Sequence, residues 1–240
     1  MKASIFCLAS LFLLAIQPCV EAQQRAVTER PKPPNPYQPV EDVPGLPRVL
    51  LIGDSISEGY TVPVRKLLEG NANVHRIPEN GGPARLAGAK IDKWLGTEKW
   101  DVIHFNWGLH DLMVFPDPKK EATQQEDDRL GQYEVNLRAL VARLKQTGAK
   151  LIWASSTPVA DEMSSPRSPS HRAAFVAKYN EAAAKIMKEN GIPVDDLNAW
   201  VTPVQDTMRK PHDVHFHAAG SDYLAKQVAK SIEAVLNGRP

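Results

Sequence analysis

From residue 48 onward the apolar positions of the chain alternate between two spacings. Short, nearly continuous apolar runs at 49–53 (VLLIG), 72–77 (ANVHRI), 101–107 (DVIHFNW), 150–156 (KLIWASS) and 192–197 (IPVDDL) read as strands. Between them the apolar residues return every three to four positions. A segment at 62–70 carries Pro63 near its first turn, and another follows at 86–96. The stretch 133–148 places Val135, Leu137, Leu140, Val141 and Leu144 together and stops at Gly148. The segments 172–191 and 221–238 each end on glycine as well. Strands that are apolar throughout, alternating with helices, predict a parallel sheet covered on both faces, with right-handed crossovers. The charged stretch 117–129 reads as an exposed loop. No internal repeat is visible.

The first 47 residues do not follow this pattern. Lys2 precedes an apolar stretch too short for a relaxed membrane span, and Val20-Glu21-Ala22 fits a small-residue cleavage site. Residues 1–22 are therefore expected to be a secretory signal peptide. A lipoprotein anchor at Cys19 is the alternative, though Gln17 and Pro18 suit that processing poorly. Seven prolines between Pro31 and Pro47 make residues 23–47 a Pro-rich linker, leaving residues 48–240 as the folded domain. The expected location is periplasmic or extracellular. Both cysteines, Cys7 and Cys19, fall in the predicted leader, so the mature chain would have no disulfide and no thiol chemistry.

Composition adds mainly exclusions. With 29 basic and 28 acidic residues the formal charge is +1, and neither a basic stripe nor an acidic tail appears. Nucleic acid and integral membrane association are accordingly not expected. Oligomeric state is left open by the sequence.

In a doubly wound sheet, ligands bind at the carboxyl ends of the strands. Four places then matter: Gly53–Ser57, Asn80–Gly82, Asn106–Asp111 and Ser155–Pro158. Ser55 lies between a strand and a helix, where it is either a helix cap or a nucleophile facing backbone N–H groups. A serine nucleophile needs a base, and His212, His215 and His217 cluster with Asp213 just before the last helix. The cluster could otherwise be a polar surface loop or a zinc site, but it lacks metal-ligand helix spacing, and no metal or cofactor is expected. Asn80-Gly81-Gly82 and Gly108-Leu109-His110-Asp111 could supply donors to an oxyanion, or simply turn the chain.

Jointly these residues resemble the SGNH hydrolases, also called GDSL esterases and lipases. Gly53-Asp54-Ser55-Ile56, Asn80-Gly81-Gly82, Gly108-Leu109-His110-Asp111 and Asp213-Val214-His215 look like that family's four blocks, in order. The resemblance implies a flavodoxin-like three-layer α/β/α sandwich on a five-stranded parallel sheet. It also implies Ser55 as nucleophile and first oxyanion donor through its N–H. Gly82, with Gly81 as alternative, would be the second donor, and His215 the general base.

Two positions depart from the family pattern. His110 stands where an asparagine is usual, and could still donate an N–H, with Asn106 as a substitute. The acid block is one residue short, so His212 aligns with the usual aspartate. Asp213 is the preferred partner of His215, a backbone carbonyl the alternative. The resemblance implies a serine esterase with an acyl-enzyme, acting on small-molecule or glycan esters, with acetyl groups on carbohydrate as the expected substrate. Lipid-ester or lysophospholipid hydrolysis and a catalytically idle glycan-binding domain are the alternatives.

Overall fold

The structure is a computed structural model, and it describes residues 35–112, 119, 121–159 and 173–238. The predicted leader and the first part of the predicted linker lie outside the described residues. Five strands form one parallel sheet: β1 (Arg48–Ile52), β2 (Asn73–Arg76), β3 (Val102–Phe105), β4 (Lys150–Ala154) and β5 (Val194–Asp195). Their order is β2-β1-β3-β4-β5, with every pairing parallel. This is the expected flavodoxin-like arrangement. The chain winds outward in opposite directions from β1 and β3, so the crevice at their carboxyl ends is the natural ligand site. Val49, Leu50, Leu51 and Ile52 are all buried, which is why β1 reads as a continuous apolar run.

Helices cover both faces. Helix α1 (Ser55–Leu67) and the C-terminal helix α8 (Ala218–Leu236) pack against each other, and α8 also touches β3, β4 and β5. On this side His104 of β3 bonds Asp195 of β5 at 2.9 Å, and Asp195 in turn accepts from Gln227 of α8 at 2.9 Å. Helices α4 (Ala122–Lys145) and α5 (Ala173–Asn190) pack together, with the Tyr133 and Tyr179 rings 4.8 Å apart. Four short α-helices, α2 (Ala84–Ala87), α3 (Ile91–Leu95), α6 (Leu197–Val201) and α7 (Gln205–Met208), and one 3-10 turn (Thr202–Val204) complete the elements among the described residues.

Several boundaries differ from expectation, each for a local reason. Helix α1 begins at Ser55, not at residue 62, because the Asp54 carboxylate caps it by accepting from Ile56 N–H at 2.9 Å. Pro63 therefore lies inside the helix. Gly59 lets α1 approach α8, since a Cβ there would meet Ser221 Oγ at 2.8 Å. The expected loop at 117–129 is helical from Ala122, as the first turns of α4. Side chains hold those turns to their surroundings: Gln124 donates to Asp128, and Glu126 pairs with Lys178 of α5 at 2.7 Å. The segment 86–96 breaks into α2 and α3. Strand β5 is short because Pro193 lacks an N–H and Asp196 caps α6, accepting from Ala199 N–H at 3.0 Å.

Residues 35–47, expected as linker, are bound along the edge of the domain. Asn73 donates to the carbonyls of Val43 and Leu46, and accepts from Val43 N–H. Asp42 bonds both Arg48 and His75, at 2.8 and 2.6 Å. The tether thus follows the edge strand β2 before the sheet begins.

Candidate active site

The turn after β1 brings Ser55 to the crevice as the first residue of α1. At that position its N–H has no intrahelical acceptor. His215 reaches it from the loop before α8, with Nε2 2.7 Å from Ser55 Oγ. The other ring nitrogen, Nδ1, lies 2.6 Å from Asp213 Oδ1. Asp213 is only two residues from His215, and the local backbone explains how it reaches the ring. Residues 209–216 form a narrow hairpin closed by Lys210 N–H to His215 O at 2.8 Å and by the Arg209–Phe216 bridge. His212 sits at its tip with a left-handed φ of +54°. That turn places Asp213 Oδ1 within reach of both the imidazole and the His215 N–H, the latter at 3.2 Å. Partial burial pushes the Asp213 carboxyl up. The hydrogen bonds from the His215 side chain and from the His215 and Val214 N–H groups outweigh this and hold it below its ordinary value. An ionised Asp213 selects the tautomer with the proton on Nδ1, leaving Nε2 to accept the Ser55 proton.

Gly220, at the start of α8, allows this hairpin to seat. A Cβ there would lie 2.6 Å from Met208 O and 3.0 Å from Phe216 Cβ. Between Ser55, Ile56 and Gly59 on one side and His215 and Phe216 on the other lies a cleft of about 330 Å³, with exposed Lys210 at its rim.

The second block is placed differently from expectation. Gly82 N–H, expected as the second oxyanion donor, points to Asn80 Oδ1 at 2.9 Å, with Gly82 at φ +57°. Gly81 N–H donates to Gly53 O at 2.9 Å. Both candidate N–H groups therefore already have acceptors, and Gly82 can serve an oxyanion only by sharing its proton. The Asn80 amide donates to Glu58 Oε1 at 2.7 Å, tying this block to α1.

His110 lies in the turn after β3, half-buried, near enough to Asp54 that its charge acts on that carboxyl. Asn106, the possible substitute, has its amide committed to Ala154 O at 2.7 Å and Ser156 Oγ at 3.3 Å. Asp111 was given no role by sequence. Both its carboxylate oxygens accept from Ala84 N–H, at 3.0 and 3.1 Å, which clamps the third block to the start of α2. Burial pushes its carboxyl up to about 7. Burial also raises Asp54, against the opposing charge of His110.

Tyr37 and Glu58 were likewise not anticipated. The Tyr37 hydroxyl donates to Glu58 Oε1 at 2.5 Å, which brings the tether to the edge of the site; burial and this bond push the phenol up to about 12. Nothing in the residues around Tyr37 signals that contact. Among the described residues no group of three or more His, Cys, Asp or Glu side chains is placed to hold a metal ion, and no helix is long and apolar enough to cross a membrane.

Comparison with known proteins gives the chain a family. Residues 51–223 match the model of the GDSL-like Lipase/Acylhydrolase family. The chain belongs to that family, and is thus a serine hydrolase of ester bonds. Among solved structures, a lipase/acylhydrolase from Enterococcus faecalis is 16% identical, covering 79% of this chain and 97% of that one with a TM-score of 0.65. The acetyl xylan esterase AlAXEase is 14% identical, over 77% of this chain and 99% of that one, with a TM-score of 0.61. Axe2, an acetylxylan esterase from Geobacillus stearothermophilus, is 20% identical over 78% and 94%, with a TM-score of 0.60. At these identities the likeness is one of fold. A search of curated protein sequences found no match.

Proposed function

We propose that this protein is an exported esterase that removes short acyl groups, acetyl foremost, from carbohydrate through an acyl-enzyme on Ser55. The unbroken line Ser55–His215–Asp213, at 2.7 and 2.6 Å, carries the reading. His215 Nε2 takes the Ser55 proton as Oγ attacks the ester carbonyl, and the carbonyl π electrons move to oxygen. Ser55 N–H and His110 stabilise that oxyanion, with Gly82 N–H shared between it and Asn80. Collapse expels the alcohol, which takes the proton from His215. Water then repeats the sequence on the acyl-enzyme, releasing the acid and free Ser55. Asp213 holds the imidazole and stabilises the imidazolium without becoming protonated.

Two observations support a small acyl group on a sugar. The cleft beside Ser55 is modest and open. Among the described residues that line it, Ile56 and Phe216 are the only large apolar side chains, beside polar Glu58, Lys210 and Ser221. Two proteins with solved structures of this fold, AlAXEase and Axe2, are acetyl xylan esterases. The closed hydrogen-bond line favours catalysis over an idle binding domain, because an unused serine needs no base on its hydroxyl. Export rests on the leader-like residues 1–22, and N-terminal sequencing of the mature protein at Gln23 would bear it out.

Release of p-nitrophenol from its acetyl ester, by wild type and Ser55→Ala, tests the reaction. A rate that collapses in the variant supports it, and equal background rates overturn it. A panel of acyl chain lengths and acetylated oligosaccharides then tests the substrate. Preference for long acyl chains would replace the carbohydrate reading with a lipid one.

A further inference from the structure

A trans peptide is planar, with its C=O and N–H on opposite sides. The peptide joining Asp54 to Ser55 carries the N–H assigned to the oxyanion, so whatever fixes Asp54 O also fixes where Ser55 N–H points. Three groups hold that oxygen. Glu58 N–H donates to it at 3.1 Å as the first bond of helix α1. Ser57 Oγ donates at 2.6 Å, and Arg76 Nη2 at 3.3 Å.

Arg76 lies behind all of this. It is the last residue of β2, paired in register with Leu51 of β1, and its side chain is fully buried. Nη1 donates to Ser57 Oγ at 2.6 Å, so the Ser57 proton is left to reach Asp54 O. Nη2 also donates to Gly53 O at 2.9 Å, the same oxygen that accepts from Gly81 N–H. One guanidinium thus grips both carbonyls of the turn that presents Ser55. Its carboxylate neighbour is Glu58 at 3.7 Å, itself bound by Tyr37 and Asn80. Among the described residues Arg76 Nε has no hydrogen-bond partner. A buried cation with an orphaned N–H is a poor device for stability alone.

We propose that Arg76 is a positioning residue for the oxyanion hole: it fixes and polarises the Asp54–Ser55 peptide, directly and through Ser57, so that Ser55 N–H is held as a donor. Donation to a carbonyl strengthens the N–H across the same peptide, and the buried charge adds a favourable potential where negative charge develops. The proposal rests on the reading of Ser55 as nucleophile.

Its test compares Ser57→Ala, Arg76→Lys and Arg76→Met with wild type on p-nitrophenyl acetate. Circular dichroism, Tm and inhibition by an alkyl boronic acid that forms a tetrahedral anion on serine are measured beside the kinetics. Because one oxyanion donor is typically worth about 10²–10³ in rate, kcat should fall about 10²-fold in Arg76→Met and about 10-fold in Ser57→Ala. Arg76→Lys, which keeps the charge and one donor direction, should fall between them and wild type. KM should stay within about twofold, while boronate affinity should weaken in parallel with kcat, as expected for loss of transition-state binding. Folded variants with lower Tm but wild-type kcat would show a purely structural role and overturn the proposal. If Arg76→Met does not fold, Ser57→Ala and Arg76→Lys decide by the same criteria. A wild type without Ser55-dependent turnover would overturn the esterase reading itself, whereas an active wild type with unaffected variants overturns only the positioning role.

Discussion

Replacing Asp111 by asparagine should stabilise the protein above neutral pH, by a margin that disappears in acid. The Asp111 carboxyl is held up to about 7 by burial, against an ordinary value of 3.8. Between those values the native state retains a proton that the unfolded chain has released. The unfolded state then binds fewer protons than the native, so stability falls as pH rises through this window, at about 1.4 kcal/mol per pH unit. A window of about three units sets a ceiling of about 4 kcal/mol; the side chain is only part-buried, so water relieves some of this and about 2–3 kcal/mol is the working figure. Asparagine has nearly the shape of the neutral acid and can still accept from Ala84 N–H, but cannot ionise. Burial raises the Asp54 carboxyl as well, but Asp54 is present in both proteins, so to first order it cancels from the difference. For a domain of this size 1 kcal/mol moves Tm by about 2–4 °C, so the variant should melt about 4–12 °C above wild type at pH 8. The gap should close on approaching pH 4. Thermal melts by circular dichroism across this range provide the measurement, and parallel curves of Tm against pH for the two proteins would refute the reasoning.

Other perturbations follow from the same geometry. His110→Ala should lower kcat about 10²–10³-fold, with His110→Asn retaining most of the rate, because an amide supplies the same kind of donor; unchanged turnover in the alanine variant would remove His110 from the oxyanion site. Asp213→Asn should cost about 10³–10⁴ in kcat with little change in KM, since the amide favours the wrong imidazole tautomer. A smaller loss than about tenfold would mean that a backbone carbonyl orients His215 instead. Asp195→Ala should destabilise the fold by about 3 kcal/mol or more, read from urea denaturation, because fully buried His104 and part-buried Gln227 both lose their acceptor.

The sheet was legible because its strands are buried on both faces: Val49–Ile52 has no polar position to confuse the period, and in Val102–Phe105 only the buried His104 interrupts it. The start of α1 was only partly legible: Ile56, Tyr60 and Val64 recur at helical spacing and are buried, but Ser55, Ser57, Gly59 and Thr61 dilute that stripe, and the first turn depends on the Asp54 cap. Ser55 and His215 could be placed by motif and chain order. Asp213 depended on a left-handed His212, which no spacing rule supplies. Gly82 carries the expected block, but its N–H direction is set by the Asn80 side chain, a local competition that residue identity does not resolve. Arg76 was hidden within an apolar run because its acceptors include the backbone carbonyls of Gly53 and Asp54, and backbone acceptors leave no trace in sequence. Tyr37 was lost among prolines for a similar reason: its partner, Glu58, is brought to it only by the fold.

The central claim, that Ser55 is the nucleophile of an ester hydrolase, is tested most directly by a serine-directed organophosphate. The protein is titrated with the reagent while residual turnover of p-nitrophenyl acetate is followed, and the adduct is located by peptide mass spectrometry. The account predicts one adduct per chain, on Ser55, with activity falling in proportion to labelling and no adduct in Ser55→Ala. Full labelling at Ser55 with turnover intact, or inactivation accompanied by an adduct elsewhere, would contradict it.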